Sequence, residues 1–158
     1  MRRLLVALAV LAASAAQGRT FTGTVTYVTD GDTLWVRPAR GEDKVEIRLL
    51  DLDAPERCQA FGPEAKQAVR VRLLHQSVRV RTRGSDVYGR QLGQLEHRGE
   101  DVGAWLVRNG YAWSSSFHRR AGRYAELQAQ AVSARAGLWA RGEPLEPRIF
   151  RKRFGRCP

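Results

Sequence analysis

Lysine, cysteine and long apolar runs are all scarce in this chain of 158 residues. Lysine occurs only at Lys44, Lys66 and Lys152, so nearly all of the 27 basic residues are arginines. Two cysteines are too few for a zinc cluster of the usual spacing. The three histidines are scattered, and no serine lies in the strand–turn–helix context of a hydrolase nucleophile. The sequence therefore argues against a zinc centre and against a Ser–His triad.

Acidic residues are also in the minority, with 16 Asp and Glu against 27 Lys and Arg, for a formal net charge of +11. A strongly basic protein suggests a polyanionic partner. Arginine in particular binds phosphate through two hydrogen bonds from its planar fork, which lysine cannot do. A GC-rich coding sequence would explain the preference for arginine over lysine, but it does not explain the net charge.

The N-terminus has the pattern of a secretory signal peptide. Arg2 and Arg3 precede an apolar run at residues 4–13, and the small residues Ser-Ala-Ala follow at 14–16. The apolar run is too short to span a bilayer. We therefore predict a signal peptide at residues 1–16 and a secreted or periplasmic mature protein without a membrane segment.

The remaining chain is predicted to form one domain at residues 19–141, followed by a basic tail at 142–158. Alternating apolar residues predict strands at 21–28, 33–38, 45–50, 77–83 and 91–96. Helical spacing and capping residues predict helices at about 62–75, 101–109 and 122–136. Five short strands with about three helices indicate an α+β fold on a five-stranded Greek-key barrel of the OB type.

Two acidic turns stand out beside these strands. Residues 30–33 (Asp-Gly-Asp-Thr) separate two alternating runs, as in a hairpin, and the strand at 45–50 ends where Asp53 and Ala54 meet Pro55. Either turn alone has a purely structural explanation. If the strands that begin at 33 and 45 are neighbours, however, Asp32 and Asp53 approach each other. Two carboxylates and a turn carbonyl are ligands that calcium or magnesium prefers.

Four blocks of sequence, in this order and spacing, resemble the staphylococcal nuclease family. They are Asp-Gly-Asp-Thr at 30–33, Ile-Arg-Leu-Leu-Asp-Leu-Asp-Ala-Pro-Glu at 47–56, Phe-Gly-Pro-Glu-Ala at 61–65 and Asp-Val-Tyr-Gly-Arg-Gln-Leu-Gly at 86–93. The resemblance covers roughly residues 21–139 and implies an OB-type barrel. It also implies a calcium-dependent nuclease.

The resemblance implies a role for residues in the two acidic turns. Asp32 and Asp53 would bind calcium through their carboxylates, and Ala54 through its backbone carbonyl. The family often has threonine at the position of Ala54, but a carbonyl ligand does not depend on the side chain. Glu56 would orient the attacking water and act as its general base. Asp51 is not an expected ligand, because the family position is usually apolar or glycine.

The resemblance also implies phosphate-binding residues. Arg48 and Arg90 would bind the phosphate and stabilise the charge that develops in the transition state. Tyr88 would lie beside the substrate. Taken singly, Arg48 is compatible with a charge on the sheet surface and Arg90 with a hairpin turn, so the assignment depends on the whole set.

Cys58 and Cys157 are the two cysteines of a chain that we expect in an oxidising compartment. A single disulfide is the favoured interpretation, although the pairing does not follow from the sequence. The basic tail at 142–158 leaves two interpretations open, an arm that binds nucleic acid or a solvated tail held by Cys157. Its basic residues are Arg148, Arg151, Lys152, Arg153 and Arg156.

Together these observations predict a secreted, monomeric, calcium-dependent nuclease that hydrolyses DNA and RNA. Little sequence preference is expected, because the candidate residues contact phosphate and none is an obvious reader of bases. The main alternative is a non-catalytic OB-fold domain that binds nucleic acid, as in degenerate members of the family. Such domains lose the acidic residues and arginines of the site. This chain keeps all five of these side chains, which are Asp32, Arg48, Asp53, Glu56 and Arg90. A third alternative is a basic secreted protein that binds acidic surface polymers.

Overall fold

Six strands form one continuous sheet in the computed structural model, which describes residues 18–116 and 120–157. Two further short strands pair with each other. The strands are β1 (Thr20–Val28), β2 (Thr33–Pro38), β3 (Val45–Leu49), β4 (Leu52–Asp53), β5 (Ser77–Ser85), β6 (Gln91–His97), β7 (Glu100–Asp101) and β8 (Trp113–Ser114). The predicted signal peptide at 1–16 lies outside the described residues.

The sheet closes on itself into the predicted five-stranded barrel of the OB type. Its order is β3-β2-β1-β5-β6-β7, and β3 also pairs with β6 in parallel, with Leu49 opposite Gly93. Closure removes the unpaired edges that an open sheet exposes. Alternate side chains of the strands point inward and form a buried core that includes Val25, Leu34, Val36, Ile47, Val78 and Val80.

The pairing of β2 with β3 confirms that the strands carrying the two acidic turns are neighbours. Thr33 lies opposite Arg48 in this antiparallel pair. The backbone N–H of Leu49 donates to the carbonyl oxygen of Asp32 at 2.8 Å, just beyond the end of the ladder. The first acidic turn therefore lies beside the end of β3, next to the turn that contains Asp53.

Helices pack outside the barrel where capping and glycine signals predict them. Asp101 caps the second helix by accepting a hydrogen bond from Ala104 N–H at 3.1 Å, and Gly110 follows it in the left-handed region with φ of 69°. No helix in the described ranges is long and apolar enough to cross a membrane. The helices are α1 (Gly62–Leu73), α2 (Val102–Arg108), α3 (Ala125–Ser133) and α4 (Pro147–Phe154), with a 3₁₀ turn at Gly137–Arg141.

The described ranges contain four α-helices, so the prediction of about three was wrong. The additional helix, α4, lies within the predicted tail. It begins at Pro147, as proline in a first turn favours, and ends at Phe154, after which Gly155 has φ of 77°. Pro147 is its only buried residue, although Ile149, Phe150 and Phe154 are apolar, and its eight residues are too few to show a repeated helical spacing in the sequence.

Candidate active site

A cleft of about 540 Å³ lies at the end of the barrel where the two acidic turns meet. It is bounded by the β1–β2 turn, the loop after β4, the β5–β6 hairpin and the C-terminal segment. Asp53 does not line this cleft, but it contacts Arg48 and Arg151, which do. The other sequence-predicted residues line it directly, and they are Asp32, Arg48, Ala54, Glu56, Tyr88 and Arg90.

Asp32 is the most deeply buried acid of the cleft, with 3% of its surface exposed. Its Oδ1 accepts from the Thr33 hydroxyl at 3.0 Å, and its Oδ2 accepts from the Ala54 N–H at 2.8 Å. Its own N–H donates to Asp30 Oδ1 at 3.1 Å, which forms the tight turn. The carboxylate is thus held in one orientation and connects the two acidic turns directly.

Arg48 joins the two acidic turns a second time. Its guanidinium forms an ion pair with Asp32 through Nη1 and lies 2.8 Å from Asp53 Oδ1 through Nη2. Its side chain is 19% exposed, so these charges lie partly out of water and interact more strongly than on an open surface. Asp32 and Asp53 are therefore both within reach of a single positive group.

Glu56 lies on the loop that follows the rigid Pro55. Its N–H donates to Gln59 Oε1 at 3.1 Å, and Gln59 is only 5% exposed. A methyl group added at Gly62 would lie 2.0 Å from the Glu56 carbonyl oxygen, so the close approach of this loop to the start of α1 requires glycine. The backbone of Glu56 is fixed from two sides, and its carboxylate points into the cleft.

Arg90 and Tyr88 extend from the β5–β6 hairpin. Arg90 lies 2.7 Å from Asp86 Oδ2 through Nη2. Desolvation raises the pKa of the Asp86 carboxyl, but hydrogen bonds from Arg90 and from the backbone N–H groups of Tyr88 and Arg90 outweigh it and leave the pKa below its usual value. Asp86 is therefore an anion that fixes the Arg90 guanidinium 5.5 Å from the centre of the Tyr88 ring.

Asp30, Arg151 and Arg156 are among the lining residues that the sequence did not assign to the site. The sequence around Asp30 indicates only a turn, but Asp30 lines the cleft, and burial raises the pKa of its carboxyl while the charge of Arg48 opposes the shift. Arg151 and Arg156 come from the predicted tail. Two signals pointed there, the run of basic residues in the tail and the cysteine pair, because Cys58 lies two residues beyond Glu56.

Asp51 lies outside this cleft and has a backbone role. It turns the chain between β3 and β4 with φ of 69°, and its Oδ2 accepts from Gln94 Nε2 at 3.1 Å. Left-handed backbone favours glycine and tolerates aspartate. Asp51 therefore shapes the turn between β3 and β4 and is not a ligand of the cleft.

The donor groups suit a hard cation, but the protein supplies few of them. Across the parts of the chain that the structure describes, no group of three or more His, Cys, Asp or Glu side chains is arranged to hold a metal ion. Asp32 and Asp53 are carboxylates that one guanidinium already holds near each other. A cation between them would take its remaining ligands from a backbone carbonyl, water and substrate, which suits calcium or magnesium rather than zinc.

Comparisons with known proteins identify the family of the chain. A family model described as staphylococcal nuclease homologue matches residues 46–141. A micrococcal nuclease of Shigella flexneri is 32% identical over 95% of this chain and 91% of its own length. Protein ParB of Escherichia coli is 35% identical over 96% of this chain and 91% of its own length. An uncharacterized endonuclease of Haemophilus influenzae is 31% identical over 81% of this chain and 71% of its own length. The chain therefore belongs to the family of staphylococcal nuclease homologues.

Proposed function

We propose that the protein is a secreted nuclease that uses calcium to hydrolyse the phosphodiester bonds of DNA and RNA. The observation that carries the proposal is the position of Arg48 between Asp32 and Asp53, in a cleft that Glu56 and Arg90 also line. Membership of a nuclease family and the relatives named as nucleases support the same chemistry.

Asp32 and Asp53 are the proposed cation ligands, together with the carbonyl of Ala54. In this structure, their charges are balanced by arginine. A bound divalent cation would neutralise the substrate phosphate and polarise its oxygens. Calcium is the proposed ion because it accepts flexible sets of oxygen ligands, so two carboxylates and a carbonyl are sufficient when water and substrate oxygens complete the shell.

Glu56 is the proposed general base. A general base must lie within hydrogen-bond reach of the water that it deprotonates. Pro55 and the hydrogen bond to Gln59 hold the backbone of Glu56, and Glu56 lines the same cleft as Asp32 and Ala54. A water in that cleft can therefore be oriented and deprotonated by Glu56 as it attacks phosphorus.

Arg48 and Arg90 are the proposed phosphate ligands of the barrel. Charge accumulates on the phosphate oxygens as phosphorus becomes five-coordinate, and guanidinium groups fixed in advance stabilise that charge. Asp86 fixes Arg90, and β3 carries Arg48. Phosphate is common to DNA and RNA at every position, so contacts of this kind give little sequence preference.

The two rival functions make less use of this arrangement. A non-catalytic domain that binds nucleic acid needs the arginines but has no use for Asp32, Asp53 and Glu56 beside them. A protein that binds acidic surface polymers would be weakened by three carboxylates in its most basic cleft. Here carboxylates and arginines are grouped at one cleft, and metal-assisted phosphodiester hydrolysis uses both, the carboxylates for cation and water and the arginines for phosphate.

Export is supported by the N-terminal pattern and by the disulfide between Cys58 and Cys157, which has an S–S distance of 2.05 Å. Disulfides persist mainly in oxidising compartments. We propose that residues 1–16 are removed on export and that the mature protein acts as a monomer. N-terminal sequencing and gel filtration of protein recovered from periplasm and medium would test both points.

The decisive experiment is incubation of plasmid DNA and of RNA with purified protein, once with calcium and once with a chelator. We expect degradation of both polymers with calcium and none with the chelator. Glu56→Gln protein purified in the same way controls for contaminating nucleases. If neither polymer is degraded in calcium although both still bind, the protein is a nucleic-acid-binding module and the proposal is wrong.

A further inference from the structure

The C-terminal segment at residues 145–157, hereafter the tail segment, is fastened to the loop that carries Glu56. Cys58 and Cys157 form the disulfide at one end. At the other end, Gln59 Nε2 donates to the Leu145 carbonyl oxygen at 2.5 Å. The same buried Gln59 accepts a hydrogen bond from the Glu56 N–H. The tail segment and the general-base loop therefore share one set of contacts.

Arg151 extends from α4 into the cleft between the two anchors. Its Nη1 lies 2.6 Å from Glu56 Oε1, and its Nη2 lies 2.9 Å from Asp53 Oδ2. Desolvation lowers the pKa of the Arg151 guanidinium, but hydrogen bonds to Asp53 and Glu56 more than offset this effect, so the pKa lies above its usual value. Its side chain is 33% exposed, so part of the charged group remains accessible from the cleft.

Asp53 cannot keep all of these partners when a divalent cation binds. Arg48 contacts its Oδ1 and Arg151 contacts its Oδ2, so both oxygens already face a positive group. A cation bound to Asp53 would lie a few ångströms from Arg151 and repel it. Arg151 then loses one of its two counter-charges while the substrate brings a new anion into the same cleft.

From these contacts we infer that the tail segment forms one side of the substrate cleft and that Arg151 binds a phosphate of the nucleic acid. The inference deepens the proposed nuclease function and rests on it. Asp53 and Glu56 hold Arg151 in place until cation and substrate bind, and Arg151 then exchanges Asp53 for a phosphate oxygen. Arg151 lies outside residues 46–141, the segment that the family model matches.

Arg156 extends the same side of the cleft toward Tyr88. Its guanidinium lies 4.3 Å from the centre of the Tyr88 ring and donates to the Tyr88 hydroxyl. Arg90 lies near the same ring, so the tail segment and the β5–β6 hairpin meet there. The tail segment thus adds two guanidinium groups to those of Arg48 and Arg90, as an extended chain of phosphates requires.

The test compares Arg151→Gln with Arg153→Gln, which removes the same charge from an exposed position of α4. Calorimetry measures calcium affinity without nucleic acid, and KM and kcat are measured on a fluorescein-labelled single-stranded oligonucleotide at saturating calcium. For Arg151→Gln we expect KM to rise about tenfold, as for loss of a charged hydrogen bond. Calcium should bind about threefold more tightly or better, because a positive charge has left the site.

These opposite changes distinguish a phosphate ligand from a simple fastening of the tail segment. If Arg151 only fastened the tail segment, its loss would loosen the cleft and weaken the binding of both calcium and the oligonucleotide. Arg151→Lys should recover part of the KM effect, because it restores the charge without the fork. Arg153→Gln should change neither quantity by more than about twofold, as is usual for an exposed site.

The inference is overturned if Arg151→Gln leaves KM unchanged, or if it weakens the binding of calcium and of the oligonucleotide together. Failure of the proposed function would look different, because the wild-type protein would then leave the oligonucleotide intact. Fluorescence anisotropy with calcium would in that case give the affinity directly. A tenfold weaker affinity for Arg151→Gln would still support the assignment of Arg151, and an unchanged affinity would reject it.

Discussion

The two sides of the cleft are held in place by different means. On the barrel side, Asp32 and Arg48 lie at the ends of paired strands above a buried core. On the tail side, Arg151 comes from an eight-residue helix with one buried residue, and a disulfide and Gln59 fasten it. The barrel cannot lose its geometry without unfolding, whereas the tail segment can. We therefore assign the chemistry to the barrel side and the adjustment of substrate binding to the tail side.

The largest effect should come from Glu56, the residue that touches both sides. We expect Glu56→Gln to keep its fold while kcat falls by about 10²–10⁴-fold, as for loss of a general base. Glu64→Gln, which makes the same change at an exposed position of α1, is the matched control. Initial rates at saturating calcium and substrate measure kcat. A near-normal kcat in Glu56→Gln would remove Glu56 from the mechanism.

Arg48→Lys and Arg90→Lys should cost less, each lowering kcat by about 10²-fold. Lysine keeps the charge but loses the fork that fits phosphate oxygens. Because these contacts tighten in the transition state, kcat should fall more than KM rises. Arg79→Lys and Arg81→Lys, on the exposed face of β5, are the controls. If all four variants behave alike, the two arginines are only part of a basic surface.

The barrel side was predictable from the sequence because its signals are local. Alternation, turn residues and four spaced motifs identified the closed barrel, and the pairing of β2 with β3 then brings Asp32 beside Asp53. On the tail side, the cysteine pair indicated that the tail lies near Glu56. Which arginine enters the cleft was not predictable, because it depends on contacts with residues nearly a hundred positions away, as between Arg151 and Glu56. With only eight residues, α4 is too short for a repeated helical spacing, and its sequence does not indicate which surface it contacts.

Removal of the disulfide should separate the two sides. In the chain-entropy model, a bridge across 99 residues contributes up to about 4–5 kcal/mol, and less when α4 and Gln59 keep the tail segment docked. We expect Cys58→Ser/Cys157→Ser to melt at lower temperature and to raise KM, with kcat largely retained. Thermal denaturation and steady-state kinetics measure the three quantities. Loss of kcat with unchanged KM would contradict the assignment of the chemistry to the barrel side and of substrate binding to the tail side.

Asp51 should give the smallest effect, because it only turns the chain on the barrel side. Asp51→Gly keeps φ of 69° accessible, so we expect the free energy of unfolding to change by less than about 1 kcal/mol. Asp51→Val places a β-branched side chain in left-handed backbone and should cost about 1–2 kcal/mol. Urea denaturation measures both. Equal stability of the two variants would show that this backbone conformation is not required.

The most direct test of the account is the effect of calcium on the melting temperatures of the wild type, Asp32→Asn and Asp53→Asn. A ligand that binds only the folded state stabilises it by about 2.7 kcal/mol at one hundred times its dissociation constant. We predict that calcium raises the melting temperature of the wild type, that each variant loses this rise, and that each loses cleavage with it. An equal rise in all three proteins, or full cleavage by either variant, would contradict a cation site at Asp32 and Asp53.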